Sequence, residues 1–244
     1  MAIMAKFIDV TKCSGCRGCQ VACKQWNQLP AEVEAFTGSL QTHLECKPYT
    51  WTIVNFTERM NNGVVEWLFR KHGCMHCQDA TCISTCGVAA YSRTEFGHVY
   101  RDPNICIGCG QCVRECPYNI PEVATDAGGK YARSCKFCYD RIGNGLTPAC
   151  AKGCTTGAIQ FGERTAMLAA ANTRVSEIIA QYPDANVYGI NEMNGTLIIY
   201  VLPYLPTVYG LTLGQQNPKT GGYDNQEYSD PLSPKYDPNH YWHV

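Results

Sequence analysis

A chain of 244 residues is long enough for one or two compact domains, and a formal net charge of −1 excludes a broad electrostatic pull toward nucleic acid. Seventeen cysteines are far above ordinary usage, yet their odd number and tightly repeated spacing argue against a disulfide framework. With 17% charged residues but 22 glycines and 13 prolines, the chain reads as rich in loops.

The chain opens MAIMAKFIDVTKC, with no basic n-region, apolar h-region or twin arginine ahead of Cys13. The expectation is export to the periplasm while bound to a signal-bearing partner, with the cytoplasm as the alternative. The first run, CSGCRGCQVAC, places Cys13, Cys16, Cys19 and Cys23 as C-x2-C-x2-C-x3-C. In this spacing three thiols wrap the corners of a cubane, and Gly15 and Gly18 let the backbone approach. A helix then begins, and its thiol, Cys23, points toward a neighbouring cluster.

Cys46 stands alone and reads as a free thiol. Residues 49–57 and 64–71 alternate on either side of Asn61-Asn62-Gly63, which predicts a β-hairpin. The second run holds Cys74, Cys77, Cys82 and Cys86 with one gap widened to C-x4-C, and His72 and His76 beside it read as packing or hydrogen-bonding spacers. The third holds Cys106, Cys109, Cys112 and Cys116, preceded by a turn at Pro103-Asn104 and followed by Pro117. The fourth holds Cys135, Cys138, Cys150 and Cys154, its middle gap grown to eleven residues.

Leu168, Ala171, Val175, Ile178 and Tyr182 recur at helical steps, so residues 163–182 are expected to be a helix ending before Pro183. Residues 196–213 lack charge over 18 positions, but Pro203, Pro206 and Gly210 interrupt them. They read as a buried strand over 196–202, not a membrane span. The aromatic segment 214–244 is expected to be an extended arm lying on a partner.

Residues 8–23 lie over residues 101–116 at a constant offset of 93, matching Asp9 to Asp102 and Gly15 to Gly108. This duplication is the pattern of a doubled two-cluster ferredoxin unit. Zinc, the alternative, favours separated C-x2-C pairs rather than tandem triplets. A zinc-stabilised interaction module is thus the remote reading. Cubanes with four protein thiolates leave no iron open to substrate, and no nucleotide or hydrolase motif is present, so electron transfer is expected and no catalytic residue is assigned. Lys12, Arg17 and Lys24 flank the first run and Arg133, Lys136 and Lys152 the fourth. Of these Lys24, Lys136 and Lys152 are candidates for raising a cluster's potential through their charge.

The four runs in this order, over residues 9–162, resemble the four-cluster ferredoxin-type subunits of the molybdenum or tungsten bis-pterin oxidoreductases. Within that group CRGCQVACKQWN (16–27), DRIGNGLTPACAKGCTTGAIQFG (140–162) and YVLPYLPTVYGL (200–211) are most similar to formate dehydrogenase beta subunits. The resemblance implies crossed ligation of four 4Fe–4S clusters. One takes Cys13, Cys16 and Cys19 with Cys154, and the next Cys135, Cys138 and Cys150 with Cys23. A third takes Cys74, Cys77 and Cys82 with Cys116, and the last Cys106, Cys109 and Cys112 with Cys86. Where relatives often have proline after the last cysteine, Gly87 and Thr155 follow here.

The implied fold is α+β, with tandem ferredoxin-like units, one over 1–48 and 128–162 and one over 72–127. A hairpin insert (49–71), a C-terminal helix and strand (163–213) and the extended tail (214–244) complete it. The implied role is an electron relay between a catalytic molybdenum- or tungsten-pterin subunit and an acceptor such as a cytochrome or membrane haem subunit, with no membrane helix in this chain. The same relay in a dimethyl sulfoxide, polysulfide or tetrathionate enzyme, or a hydrogenase, is the alternative.

Overall fold

The computed structural model describes residues 2–36 and 38–211, and the arm expected over 214–244 lies outside them. Strand β1 (Met4–Asp9) leads into the first cysteine run and helix α1 (Gly18–Trp26), then come β2 (Thr52–Asn61) and β3 (Val64–Gly73). Helix α2 (Thr81–Ser84), strands β4 (Tyr91–Arg93) and β5 (Val99–Arg101), and helix α3 (Gln111–Arg114) carry the second and third runs. Strands β6 (Glu122–Asp126) and β7 (Gly129–Arg133) precede α4 (Tyr139–Gly143) and α5 (Ala149–Lys152) of the fourth run. The described chain closes with β8 (Ile159–Glu163), α6 (Arg164–Ile178), β9 (Asn186–Tyr188) and β10 (Ile198–Leu202).

One four-stranded sheet, ordered β8-β1-β10-β9, organises the molecule. Strand β10 pairs in parallel with β1, Lys6 opposite Ile198 and Asp9 opposite Val201, while β8 and β9 run antiparallel on either side. All five residues of β10 are buried. A strand covered on both faces reads as a continuous apolar run, which explains the charge-free segment expected to be a strand. Among the described residues no helix is long and apolar enough to cross a membrane.

The β2–β3 hairpin turns on two residues, Asn62 and Gly63, with φ of 50° and 82°. Positive φ at both positions matches the right-handed twist of the flanking strands, and Asn-Gly adopts it at least cost. The hairpin is anchored at its base, where the Tyr200 hydroxyl donates to the Lys71 carbonyl at 2.7 Å and Arg70 Nε to the Tyr209 carbonyl at 3.1 Å. Phe56 and Phe69 on it stand edge to face, 4.9 Å apart, with the Arg17 guanidinium 4.6 Å over Phe56. That aromatic pair roofs the loop around Gly15.

Apolar packing divides unevenly. Phe7, Ile8, Phe137, Tyr188, Ile199 and Tyr200 belong to a large core around the sheet and α6. The β4–β7 region has a separate core of only Ala80, Tyr91, Val99, Cys112 and Ala132, with further cysteines packed around it.

Candidate metal centre

One backbone device recurs in all four cysteine runs. The third residue of each leading C-x2-C has positive φ: Gly15 at 67°, His76 at 49°, Gly108 at 64° and Phe137 at 59°. A left-handed residue turns successive N–H groups inward and makes a concave nest suited to an anion. The Phe137 N–H accordingly donates to Cys135 Sγ at 3.3 Å. Burial raises the Cys13 and Cys74 thiols, while the N–H groups of Gly15 and His76 pull against that rise.

The sequence duplication is also a structural one. Asp9 accepts the Thr11 N–H at 3.0 Å, and Asp102 accepts the Asn104 N–H at 2.8 Å, so each carboxylate folds the turn into its ligand loop. Arg17 and Gly110 are both left-handed N-caps, and α1 and α3 start at the next residue.

Burial raises many of the thiols, and thiols of different runs add to one another's rise. Cys13 is raised by burial, with the charges of Cys154 and Cys16 adding. Burial pushes Cys19 up to about 12, Lys71 opposing and Cys150, Cys13 and Cys154 adding. Cys23 rises through burial together with Cys135, Cys150 and Cys138. Cys138 reaches about 11 through burial, against Lys6, with Cys135 and Cys150 adding. Burial also lifts Cys77 and Cys82, the second to about 12, and Cys116 adds to both. Cys112 is raised by burial with Cys106, Cys109 and Cys86 adding, while the Tyr91 hydroxyl opposes.

Thiols of different runs also raise one another, Cys150 acting on Cys19, Cys135 on Cys74 and Cys112 on Cys82. Of the cysteines only Cys16 and Cys109 are exposed, at equivalent positions of the first and third runs.

Hydrogen-bond donors also point at sulfur. Ala90 N–H reaches Cys86 Sγ at 3.3 Å, Ala132 N–H reaches Cys106 Sγ at 3.4 Å and Tyr91 O–H reaches Cys112 Sγ at 3.5 Å. Asn27 Nδ2 lies 3.7 Å from Cys23 Sγ, and the Thr155 hydroxyl 3.8 Å from Cys16 Sγ. Thr155 thus offers a polar contact where a proline would have none. All seventeen cysteines are free thiols. Among the described residues no three His, Cys, Asp or Glu side chains are placed to hold a single metal ion, whereas Cys23, Cys135, Cys138 and Cys150 line a common cavity. Soft thiolate donors, inward N–H nests and adjacent cations fit a polynuclear, anionic iron–sulfur group.

The flanking cations have distinct settings. Lys24 donates to the Pro30 and Tyr49 carbonyls at 2.7 and 2.8 Å and so ties down the loop after α1. Lys136 stands 4.0 Å from Asp140, and Lys152 lines a surface depression of about 620 Å³ with Trp26 and Arg141. Lys12 faces Asp9, and Arg133 pairs with Asp126 between the rings of Tyr49 and Tyr131. His72 is held neutral, its pKa pulled down to about 3 by burial and then by Arg70 and Lys71. His76 is fully buried, edge-on to Phe137 at 4.7 Å. Cys46 is buried too, and burial pushes its thiol up to about 12.

Two cations escaped the sequence reading. Lys6 and Lys71 are buried, and both line the cavity of the Cys135 group. Burial alone would drive both toward neutrality, but the charges of Cys150 and Cys135 outweigh it and hold both above the usual lysine value. No composition signal marks them, because lysine is the residue least expected inside.

Residues 65–164 match the family model described as a 4Fe-4S dicluster domain. The chain is 42% identical over 203 residues to the nitrate-inducible formate dehydrogenase iron-sulfur subunit of Escherichia coli strain K12, covering 82% of this chain and 68% of that one. It is 37% identical over 207 residues to formate dehydrogenase 2 subunit beta (cytochrome c-553) of Nitratidesulfovibrio vulgaris, covering 81% and 92%. To the formate dehydrogenase subunit beta of Megalodesulfovibrio gigas it is 33% identical over 213 residues, covering 83% and 95%.

Proposed function

Because the chain belongs to the family of formate dehydrogenase iron–sulfur subunits, we propose that it carries electrons between a catalytic molybdenum- or tungsten-pterin subunit and an acceptor, over four 4Fe–4S clusters. When bound, each cluster supplies a one-electron couple whose potential answers to hydrogen bonds and charge around its sulfurs. The sixteen thiols of the four runs hold the clusters, with the crossed assignment that places Cys154, Cys23, Cys116 and Cys86 beside the triplets of other runs. Two tandem ferredoxin-like units, each with one pair of clusters, are the corresponding architecture.

The observation that supports this reading is that Cys23 of the first run and Cys135, Cys138 and Cys150 of the fourth line one cavity, while Cys16 and Cys109 are the exposed cysteines. A relay needs redox sites close enough to exchange electrons, buried in the middle and accessible at both termini. Cys16 marks the end proposed to face the catalytic subunit, and Cys109 the end proposed to face the acceptor. One relative's name carries cytochrome c-553, which supports a cytochrome as the acceptor class. Co-export to the periplasm with the catalytic subunit remains part of the proposal.

The test is anaerobic isolation of the chain with its native partners, followed by formate while the visible absorption is watched. Bleaching, with molybdenum or tungsten in the complex and about sixteen irons on this chain, is the expected result. Bleaching by dithionite but not by formate would move the relay to another oxidoreductase. A colourless chain containing zinc would sink the relay itself.

A further inference from the structure

Lys6 lies on β1 and Lys71 on β3, two elements far apart in sequence, yet both line the cavity of Cys23, Cys135, Cys138 and Cys150. Lys6 is 1% exposed and Lys71 5%, which is rare for lysine without a paired anion. Among the described residues no carboxylate pairs with either ammonium group. The contact of Lys6 Nζ is the ring of Phe137, 4.2 Å from its centroid, and a ring face attracts a cation without neutralising it. Two unpaired cations on one small cavity also repel each other. An anionic occupant relieves both penalties at once. Lys136 also lines this cavity, but it is 40% exposed and its field is screened by solvent and by Asp140.

We infer that Lys6 and Lys71 form a buried cation pair that compensates the negative charge of the cluster held by Cys23, Cys135, Cys138 and Cys150, raising its reduction potential. That cluster is thereby an electron-holding step in the proposed relay. This rests on the four-cluster reading above and adds two residues that none of the cysteine motifs contains. The two lysines differ in reach: Lys6 acts on Cys150, Cys135 and Cys138, whereas Lys71 also acts on Cys19 of the first group.

The experiment is a redox titration followed by electron paramagnetic resonance, with iron analysis, on the intact complex carrying Lys6→Met, Lys71→Met or Lys136→Met. Lys6→Met is expected to lower one midpoint by about 59 mV, a tenfold change in the oxidised-to-reduced ratio at fixed potential. Lys71→Met is expected to lower that same step and, by less, a second one. Lys136→Met is expected to move it least. Should Lys71→Met fail to fold, Lys6→Met decides alone. Unmoved midpoints at full iron content, or an equal shift in Lys136→Met, overturn the inference and leave the relay intact. A parent chain short of about sixteen irons overturns the four-cluster reading and this inference with it.

Discussion

His76 and Phe137 occupy the backbone position that glycine holds at Gly15 and Gly108. A left-handed conformation costs a side-chain-bearing residue about 1–2 kcal/mol, so these two positions are strained and something must offset the strain. Packing does, because the two rings meet at 4.7 Å and both residues are fully buried. At Gly108 the balance runs the other way: an added Cβ would stand 2.7 Å from Lys130 Cγ and 2.9 Å from its carbonyl oxygen. Gly108→Ala is expected to cost about 2–4 kcal/mol from conformation and crowding together. Phe137→Gly would relieve strain but forfeit about 3–5 kcal/mol of core packing, so it too destabilises. Denaturant midpoints of the iron-loaded variants check both, and a Phe137→Gly chain more stable than its parent would show that strain dominates. The glycines were legible as close-approach positions because their residue type announces the conformation. His76 and Phe137 were not, since tertiary packing overrides the local preference there and no residue type signals it. Lys6 and Lys71 were hidden for a related reason, their burial being set by strands that meet only in the folded chain.

At the level of elements, the Asn62-Gly63 hairpin, the helix expected over 163–182 and found over Arg164–Ile178, and the strand expected over 196–202 and found over Ile198–Leu202 were legible from local pattern. Their mutual placement was not. Nothing local indicates that β10 inserts beside β1 in parallel, so that β9 and β10 complete a sheet begun at residue 4 instead of standing apart. The hairpin has a similar nonlocal role, since Phe56 and Phe69 close over Gly15 in the first ligand loop. Phe69→Ala opens that roof at a partly buried site, with an expected loss of about 1–3 kcal/mol. The damage should fall first on the group of Cys13, Cys16, Cys19 and Cys154. Iron analysis and paramagnetic resonance after air exposure would show it as early loss of one cluster signal. Uniform loss of all signals would mean that the hairpin supports the molecule as a whole and does not guard the first loop.

Over the whole molecule the two apolar cores predict an uneven dependence on metal. The sheet, α6 and the residues packed on them bury large side chains, among them Phe7, Tyr188, Ile199 and Tyr200, that need no iron to attract one another. The region of β4 to β7 has five buried residues in its own core, one of them Cys112, with Cys77, Cys82, Cys86, Cys106, Ile83, Val113 and Val123 packed around it, while Tyr118 and Ile120 join the larger core. Such a small core does not offset the conformational entropy of some fifty residues, at about 1–2 kcal/mol each, so bound metal must contribute much of its folding energy. Iron removal under reducing conditions is therefore expected to open residues 80–133, apart from Tyr118 and Ile120 that pack into the larger core, while β1, β10 and α6 stay folded. Hydrogen exchange reads this directly: amides in 80–133 should lose protection in the chelated chain, and those of β10, buried along their whole length, should keep most of theirs. Full protection throughout the iron-free chain would show that the small core suffices alone. Loss of protection in β10 at the same rate would show instead that the sheet, too, is held by the clusters.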